Sequence, residues 1–579
     1  NEVVGGYAVT IKPSGAARVI SGTIASNALI RTVDASNVTI DGSLSGGTDK
    51  SLSITNLSTT GPQVVRFSSG AAAISNNTLK NTIITNGANT SSAVVVNKND
   101  GTAGLFNNIT IENNTVKKAY MGIFANAVIG AGNGTITVKG NDLSTSGADA
   151  ITLGGVYVQG ADGASVQGNT IGNFLSTTAY QKRGIWLATG TVNTTISGNT
   201  LSGIGFSGAT SSIPVSAIYV TSGNTGVSPN SNNVIDGNII SGISSTSSSV
   251  TSAIHIGGTS TAPTSGVAIT KNKITNVKNS NSGGYAAVGI YLNGYSTVAN
   301  GGANIVNNFI SDVANYGYNG TSYLDNGVGI TFNGASSGYK IYNNTVNMAT
   351  NQTTSTGMSA AINVHSSITA AGAIDLRNNI FVNSQTTSKR YAIYSSAAST
   401  VFSNIDYNNY YSTENVGYLG SARATLANWQ TATGKDAHSL NVNPVFASPT
   451  DLHLTDANTA LDGKGTPIAE VLIDIDGDTR STTAPDMGAD EFTATTAATN
   501  ESAKQEIRLY PNPVVDYVTI KSSTKVDAVD VYNVSGQKVS STSLSAGTGS
   551  VDMRSLTSGV YIISVKSGKD VHTVKVIKK

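Results

Sequence analysis

Two short words recur along this 579-residue chain, out of phase with each other but sharing one drifting interval. Recurrence of that kind limits the fold more than any other feature of a sequence. The first word is small–Ile–x–apolar: GIFAN (122–126), AITLG (150–154), GIWLA (184–188), AIYVT (217–221), AIHIG (253–257), GIYLN (289–293), GITFN (329–333), AINVH (361–365) and AIYSS (392–396). The second is Asn–x–apolar, often preceded by Gly or Asn, at Asn77, Asn114, Asn141, Asn169, Asn199, Asn238, Asn272, Asn308, Asn344, Asn379 and Asn409. From Ile123 onward each isoleucine is followed by its asparagine 14 to 20 residues later. One structural unit is repeated, with loops of varying length between its parts.

The unit is not helical. It is rich in Gly, Asn, Thr, Ser and β-branched residues, which are weak helix formers, and its apolar residues alternate. Leucine-rich repeats need a dense leucine ladder and propellers need blade signatures, and both are missing. Short strands joined by tight turns and stacked coil on coil make a parallel β-helix. Asparagine suits the bend because it tolerates the left-handed conformation, and stacked asparagines can hydrogen-bond from coil to coil. Glycine in front of it relieves crowding. Residues 30–79 carry the same pattern in an earlier phase, as IRTVDASNVTIDGS, LSITNLS, VVRFSSG and ISNNTL. These phrases resemble the right-handed parallel β-helix surface proteins of Bacteroidetes-type bacteria, and the similarity covers residues 1–492. The resemblance implies an all-β solenoid of about fifteen coils, on the order of 70 Å long at ~4.8 Å per coil.

Composition closes off several functions. Charged residues are 12% and the formal net charge is +1, which leaves nothing to neutralise nucleic-acid phosphates or to hold a charged membrane surface. There is no cysteine, so disulfides, thiolate metal sites and cysteine nucleophiles are excluded. No apolar run reaches the ~20 residues of a membrane helix. The row opens at Asn1 without a signal-like segment, which reads as an export signal already removed.

Repeats 1–395 give way at 396–492 to ATLANWQTATG, VNPVFASPTDLHL and VLIDIDGDTRSTTAPDMGADEF. This resembles the closing segment of the same β-helix family, whose expected task is to cover the open strand edges at the solenoid's end. Asp474, Asp476 and Asp478 stand on one tight turn, and clustered carboxylates suit a hard cation such as a structural calcium. The alternative is a capping turn in which Arg480 pairs with a nearby carboxylate. No other cofactor is expected.

A polar linker, 493–505, leads to a second domain at 506–579, where alternating strands broken by SG and AG turns predict a small antiparallel sandwich. It resembles the type A C-terminal sorting domain of the type IX secretion system. The motifs are Leu509-Tyr510-Pro511-Asn512-Pro513, Val531 to Val539 around Gly536, and Leu556 to Tyr561 around Gly559, with the basic tail Lys578-Lys579. Asn533 stands where the family often has Asp. The resemblance implies recognition by the outer-membrane translocon and its shuttle protein, and so an extracellular or outer-membrane surface location in a Gram-negative bacterium.

Alternation places the middle residue of the first word outside the coil: Phe124, Thr152, Trp186, Tyr219, His255, Tyr291, Thr331, Asn363 and Tyr394. Phe124, Trp186, Tyr219, His255 and Tyr291 are the candidate glycan-binding residues, because a row of flat apolar faces with polar edges suits sugar rings. The same row could instead be a stack of rings that stabilises neighbouring rungs. No catalytic residue is assigned. Span 51–400 holds nine scattered carboxylates, Asp100, Glu112, Asp142, Asp149, Asp162, Asp236, Asp312, Asp325 and Asp375, and no word for a glycosidase pair. Its basic pairs, among them Lys117-Lys118, Lys182-Arg183 and Lys389-Arg390, read as solvated turn ends, the alternative being a weak preference for acidic glycans. The expectation is a non-catalytic glycan-binding or adhesive rod. A β-helix polysaccharide lyase or hydrolase and a structural surface-layer or filament component are the other two readings.

Overall fold

A computed structural model describes residues 7–208, 212–222, 229–259, 262, 264–294, 301–494, 507–522, 525–544, 546–568 and 570–579. The chain divides into two compact units, Asn1–Thr495 and Thr496–Lys579. The expected linker lies almost wholly outside the described residues.

In the first unit every coil gives one strand to each of three parallel sheets. Thirteen coils stack this way. The first sheet runs from Val9–Ile11 to Phe402–Asp406, the second from Arg18–Gly22 to Asn409–Ser412 and the third from Ala28–Val33 to Asn415–Leu419. This is a parallel β-helix two coils shorter than the repeat count suggests, about 60 Å at ~4.8 Å per coil, because residues 440–494 leave the solenoid. Inward residues form unbroken columns, such as Ile123, Val156, Ile185, Ile218, Ile254 and Ile290 in the third sheet, all fully buried. Each such side chain contributes about 1.5–3 kcal/mol on burial.

Columns of aliphatics do not set register; the asparagines do. Asn114, Asn141, Asn169, Asn199, Asn238, Asn272, Asn308, Asn344, Asn379 and Asn408 stack at the corner between the first and second sheets, each at most 1% exposed. Every Oδ1 accepts both the backbone N–H and the Nδ2–H of the asparagine one coil earlier, as Asn199 does from Asn169 at 2.9 Å each. Each Nδ2 also donates to a backbone carbonyl of the preceding coil, as Asn199 does to Val166 O. Thr82 occupies the rung before Asn114 and Ser439 the rung after Asn408. The expected ladder is therefore corrected at both ends. Asn77 lies off it, bonded to Val38 N and Ala35 O, and Asn409 lies one residue beyond it, bonded to Val442.

The left-handed residue is also not the ladder asparagine but the one before it: Asn81, Asn113, Gly140, Gly168, Gly198, Gly237, Lys271, Asn307, Asn343, Asn378 and Tyr407 all have φ between 51° and 62°. A Cβ on Gly140, Gly168, Gly198 or Gly237 would meet nothing within 4 Å, so glycine relieves backbone strain there rather than crowding. Where this residue is Asn, other chain covers it. Asn81 and Asn113 bond residues 41–48, whereas Asn307, Asn343 and Asn378 bond a strap formed by residues 440–494.

That strap adds to the expected role of the closing segment 396–492, only part of which covers the open end. The open end is covered by helix Leu426–Thr433, whose Trp429 is fully buried and donates Nε1–H to Asp436 at 2.7 Å. Burial pushes the Asp436 carboxyl up to about 6. The remaining residues then run back along the flank. Arg480 donates to Asn307 Oδ1 and pairs with Glu491 at 3.1 Å, Lys340 pairs with Glu470 at 2.8 Å and Lys273 with Asp476 at 3.1 Å.

The second unit is a small antiparallel sandwich, with three strands (Arg508–Tyr510, Tyr517–Lys521, Thr548–Asp552) against four (Ala528–Asn533, Lys538–Thr542, Gly559–Ser567, Asp570–Lys578). Its core is Val518, Ile520, Val529, Val531, Val551, Ile563 and Val565.

Asn199→Ala would leave the Asn169 backbone N–H and one Nδ2 hydrogen of Asn169 without an acceptor in a dry corner, and would take one donor from the Val166 carbonyl. At about 1–3 kcal/mol per unsatisfied group, the solenoid is expected to lose several kcal/mol, read as a lower urea midpoint, whereas Thr59→Ala, at an exposed position, stays within about 0.5 kcal/mol.

Candidate functional site

The third sheet carries the aromatic row on its outer face. Register places Phe124, Tyr157, Trp186, Tyr219, His255 and Tyr291 on successive rungs. Thr152 is not in the row: the strand of that coil is Gly154–Gln159, so Tyr157 takes the position, and Thr152 Oγ1 donates to Asn89 O instead. The word AITLG matched the repeat better than GVYVQ, in which Val156 stands for the isoleucine, and this hid an aromatic residue.

The rings touch throughout. Phe124 and Tyr157 stack in parallel with centroids 4.7 Å apart. Tyr157–Trp186, Trp186–Tyr219 and Tyr219–His255 meet edge to face at 5.0, 6.0 and 4.8 Å. His255 then packs on Tyr291 at 4.7 Å. From Tyr291 the row is covered: Tyr323, on the loop 316–326, packs on Tyr291 and joins Val288, Val328 and Ala360 in a buried cluster, and Thr331, Asn363 and Tyr394 are buried. Phe124, Tyr157, Trp186, Tyr219 and His255 each keep partial exposure. Five rungs, roughly 20 Å, thus present aromatic surface. Amides flank them: Tyr157 Oη donates to Gln159 Oε1 at 2.5 Å, and Gln159 Nε2 donates to Asn126 Oδ1 at 3.1 Å.

Lys182 and Arg183 are not the solvated turn end expected of them. They are 0% and 1% exposed. Lys182 Nζ donates to Thr152 O at 2.6 Å and Ser176 Oγ at 2.9 Å, and the Arg183 guanidinium lies 3.8 Å from the Tyr219 ring centroid. Burial pushes Lys182 down to about 8 and Arg183 to about 10.

The nine carboxylates of span 51–400 are engaged, Asp325 with the Ser322 hydroxyl, where burial nonetheless pushes its carboxyl up. Asp100, Glu112, Asp149, Asp236 and Asp312 pair with Lys98, Lys139, Lys117, Lys271 and Lys278, and Asp375 with Arg377. Asp142 accepts from Ser144, and Asp162 from Asn193. None of these eight has another carboxylate as its partner. On the strap, Asp474 Oδ1 accepts from the backbone of Asp476, Gly477 and Asp478, and Oδ2 from Glu491 N. Among the described residues, Asp474, Asp476 and Asp478 do not gather into one donor set. Asp476 instead meets His453 Nε2 at 2.6 Å, with Asp490 nearby and Lys273 on its other oxygen. Burial would lower the His453 ring, but Asp476 and Asp451 outweigh it and hold the ring above its usual value.

In the second unit the motif residues build turns. Asn512 Nδ2 donates to Lys575 O and its Oδ1 accepts from Ile577 N, which ties Pro511-Asn512-Pro513 to the last strand. Asn533 Oδ1 accepts from Ser535 N and Gln537 N around Gly536, whose φ is 78°; an amide oxygen does here what a carboxylate would. Tyr561 Oη donates to Thr557 O at 2.9 Å beside Gly559.

Enclosure between Tyr219 and Tyr291, with the Arg183 charge added, pushes His255 down to about 3. An unfolded chain takes up this proton near pH 6.5 while the folded chain refuses it, so stability falls as pH drops from 6.5 toward 3. His255→Phe is expected to remove that component: relative to wild type it gains on the order of 2 kcal/mol at pH 4 over pH 7, measured by paired urea titrations.

No curated protein matches the chain. Among solved structures, the tailspike protein gp49 of Acinetobacter baumannii bacteriophage Fri1, described as a capsular polysaccharide depolymerase, aligns at 9% identity over 96% of this chain and 79% of that one. Its TM-score of 0.29 is too low to support an argument. Among the described residues no helix is long and apolar enough to cross a membrane. Residues 508–579 match the family model of the secretion system C-terminal sorting domain, and with that match the three motifs and the sandwich mark the chain as a secreted, extracellular or cell-surface protein addressed to the type IX secretion system.

Proposed function

We propose that the solenoid is a non-catalytic rod that binds glycan chains along the face from Phe124 to His255. The partly exposed aromatic column carries this reading. It supplies five consecutive rings at the rung spacing, edged by the Asn126 and Gln159 amides, and aromatic faces with amides beside them are the chemistry that holds sugar rings and their hydroxyls. The engagement of eight carboxylates by cations, hydroxyls or an amide supports binding without cleavage, since glycosidic hydrolysis needs two carboxyl groups facing one bond.

Full-length protein is expected to be retained on one or more insoluble polysaccharides or slowed in gels containing soluble ones, with no rise in reducing ends after long incubation. Trp186→Ala with Tyr219→Ala is expected to weaken retention at least about tenfold, which corresponds to ~1.4 kcal/mol. Retention unchanged in the double variant would place glycan binding elsewhere than on the column, and no retention of the wild-type protein, with a lower melting temperature in the variant, would make the column a stabilising stack and the rod a scaffold. Deleting residues 508–579 is expected to remove the protein from culture supernatant and cell surface alike and to trap it within the cell envelope, read by fractionation.

A further inference from the structure

We propose that the glycan taken by the aromatic column is anionic, its carboxylate or sulfate groups drawn by four cations placed at the head and flank of that column. The inference rests on the glycan-binding reading and names the class of ligand. Two observations carry it.

The first is a pair of buried cations without counterions. Arg183 lies on the outer face of the third sheet, three residues before Trp186, with its guanidinium against the Tyr219 ring. Its Nη1 donates to Lys182 O and Pro214 O, its Nη2 to Gln181 Oε1, and its Nε has no partner. Lys182 meets only a carbonyl and a hydroxyl. The sequence has no Asp or Glu between Asp162 and Asp236, and among the described residues neither cation has a carboxylate within ion-pair distance. Buried charge left unpaired is costly. Beneath the aromatic face it leaves a positive field that an anion lying on the rings offsets, and in a low dielectric added salt screens that field less than the field of an exposed charge.

The second observation is independent of the first. Followed toward the N-terminus, the same outward column continues from Phe124 through Val95 to Arg66 and Arg31. Arg31 is exposed, and Arg66 is bonded to the neutral acceptors Asn97 Oδ1, Lys98 O and Asn99 O. From Arg31 to His255 the column holds two arginines, Val95 and five rings but no acid. The His255 ring is held neutral beside Arg183, so at neutral pH the cations are the arginines and Lys182. A chain lying on the rings therefore meets positive charge at its head and midway along, which is the complementarity that favours one charge class over another.

The test uses the full chain with three probes: polygalacturonate for carboxylate, chondroitin sulfate for sulfate and dextran as the neutral chain. At least one anionic polymer is expected to bind about tenfold or more tighter than dextran, with an affinity that falls as NaCl is raised. Arg31→Gln, which is exposed and safe for folding, and Arg183→Gln are each expected to lower that affinity several-fold. Dextran bound as well as the anionic polymers would overturn the inference and leave the glycan reading standing. Binding of none of the three, nor of any other polysaccharide, would remove the glycan reading itself. Anionic preference unchanged in both variants would assign the charge selectivity elsewhere and also overturn the inference.

Discussion

The asparagine ladder is the contact on which the rest of the solenoid depends. Inward aliphatic columns would tolerate a slip of register, since one isoleucine packs much like another, but a slip would strand ten buried amides. In nine successive links the Oδ1 of one asparagine accepts two bonds from the asparagine one coil earlier. This pins each coil vertically and fixes which residues face out. The aromatic column is straight because the ladder is straight; Trp186 stands over Tyr157 for the same reason that Asn199 meets Asn169.

Most of this was legible. Two out-of-phase words at a drifting interval identified the coil, and alternation within the first word placed Trp186, Tyr219, His255 and Tyr291 on one face. The failures have local causes. Asn77 and Asn409 fit the motif letter by letter, but a threonine can fill the rung before Asn114, and in a doubled Asn408-Asn409 a one-residue offset is invisible without partners. Tyr157 was missed because valine replaces isoleucine in its coil. The capping helix left a signal that went unread: Thr425 ahead of a run that ends at Gly434 is a helix between its two caps. The strap could not be read, because its place is set by contacts between residues as far apart as Asn307 and Arg480.

Charge on this molecule is distributed with the same economy. Net charge is near zero, and several lysines of the solenoid stand beside an acid on a neighbouring turn, as Lys139 does beside Glu112 and Lys271 beside Asp236. Against that background, the cations around the aromatic face are the exception. Arg66, Lys182 and Arg183 are held by carbonyls, amides, a hydroxyl and a ring, with no carboxylate at ion-pair distance among the described residues; Asp100 acts on Arg66 from farther off. Ring and charge are coupled there: Arg183 lies against Tyr219 and helps keep His255 neutral.

The strap gives the rod a mechanical polarity. The chain reaches Ala494 on the flank, where its N–H bonds Asp462 and the nearby backbone is bonded to Asn343 and Asn378, rather than at the solenoid's tip beyond Trp429. A pull transmitted through that exit does not peel rungs one after another from an open end. It loads the bonds to Asn307, Asn343 and Asn378 together, in shear, with the Lys340–Glu470 and Lys273–Asp476 pairs alongside. Bonds that share a load yield together or not at all. The last described residues of the strap are held to several coils of the solenoid at once.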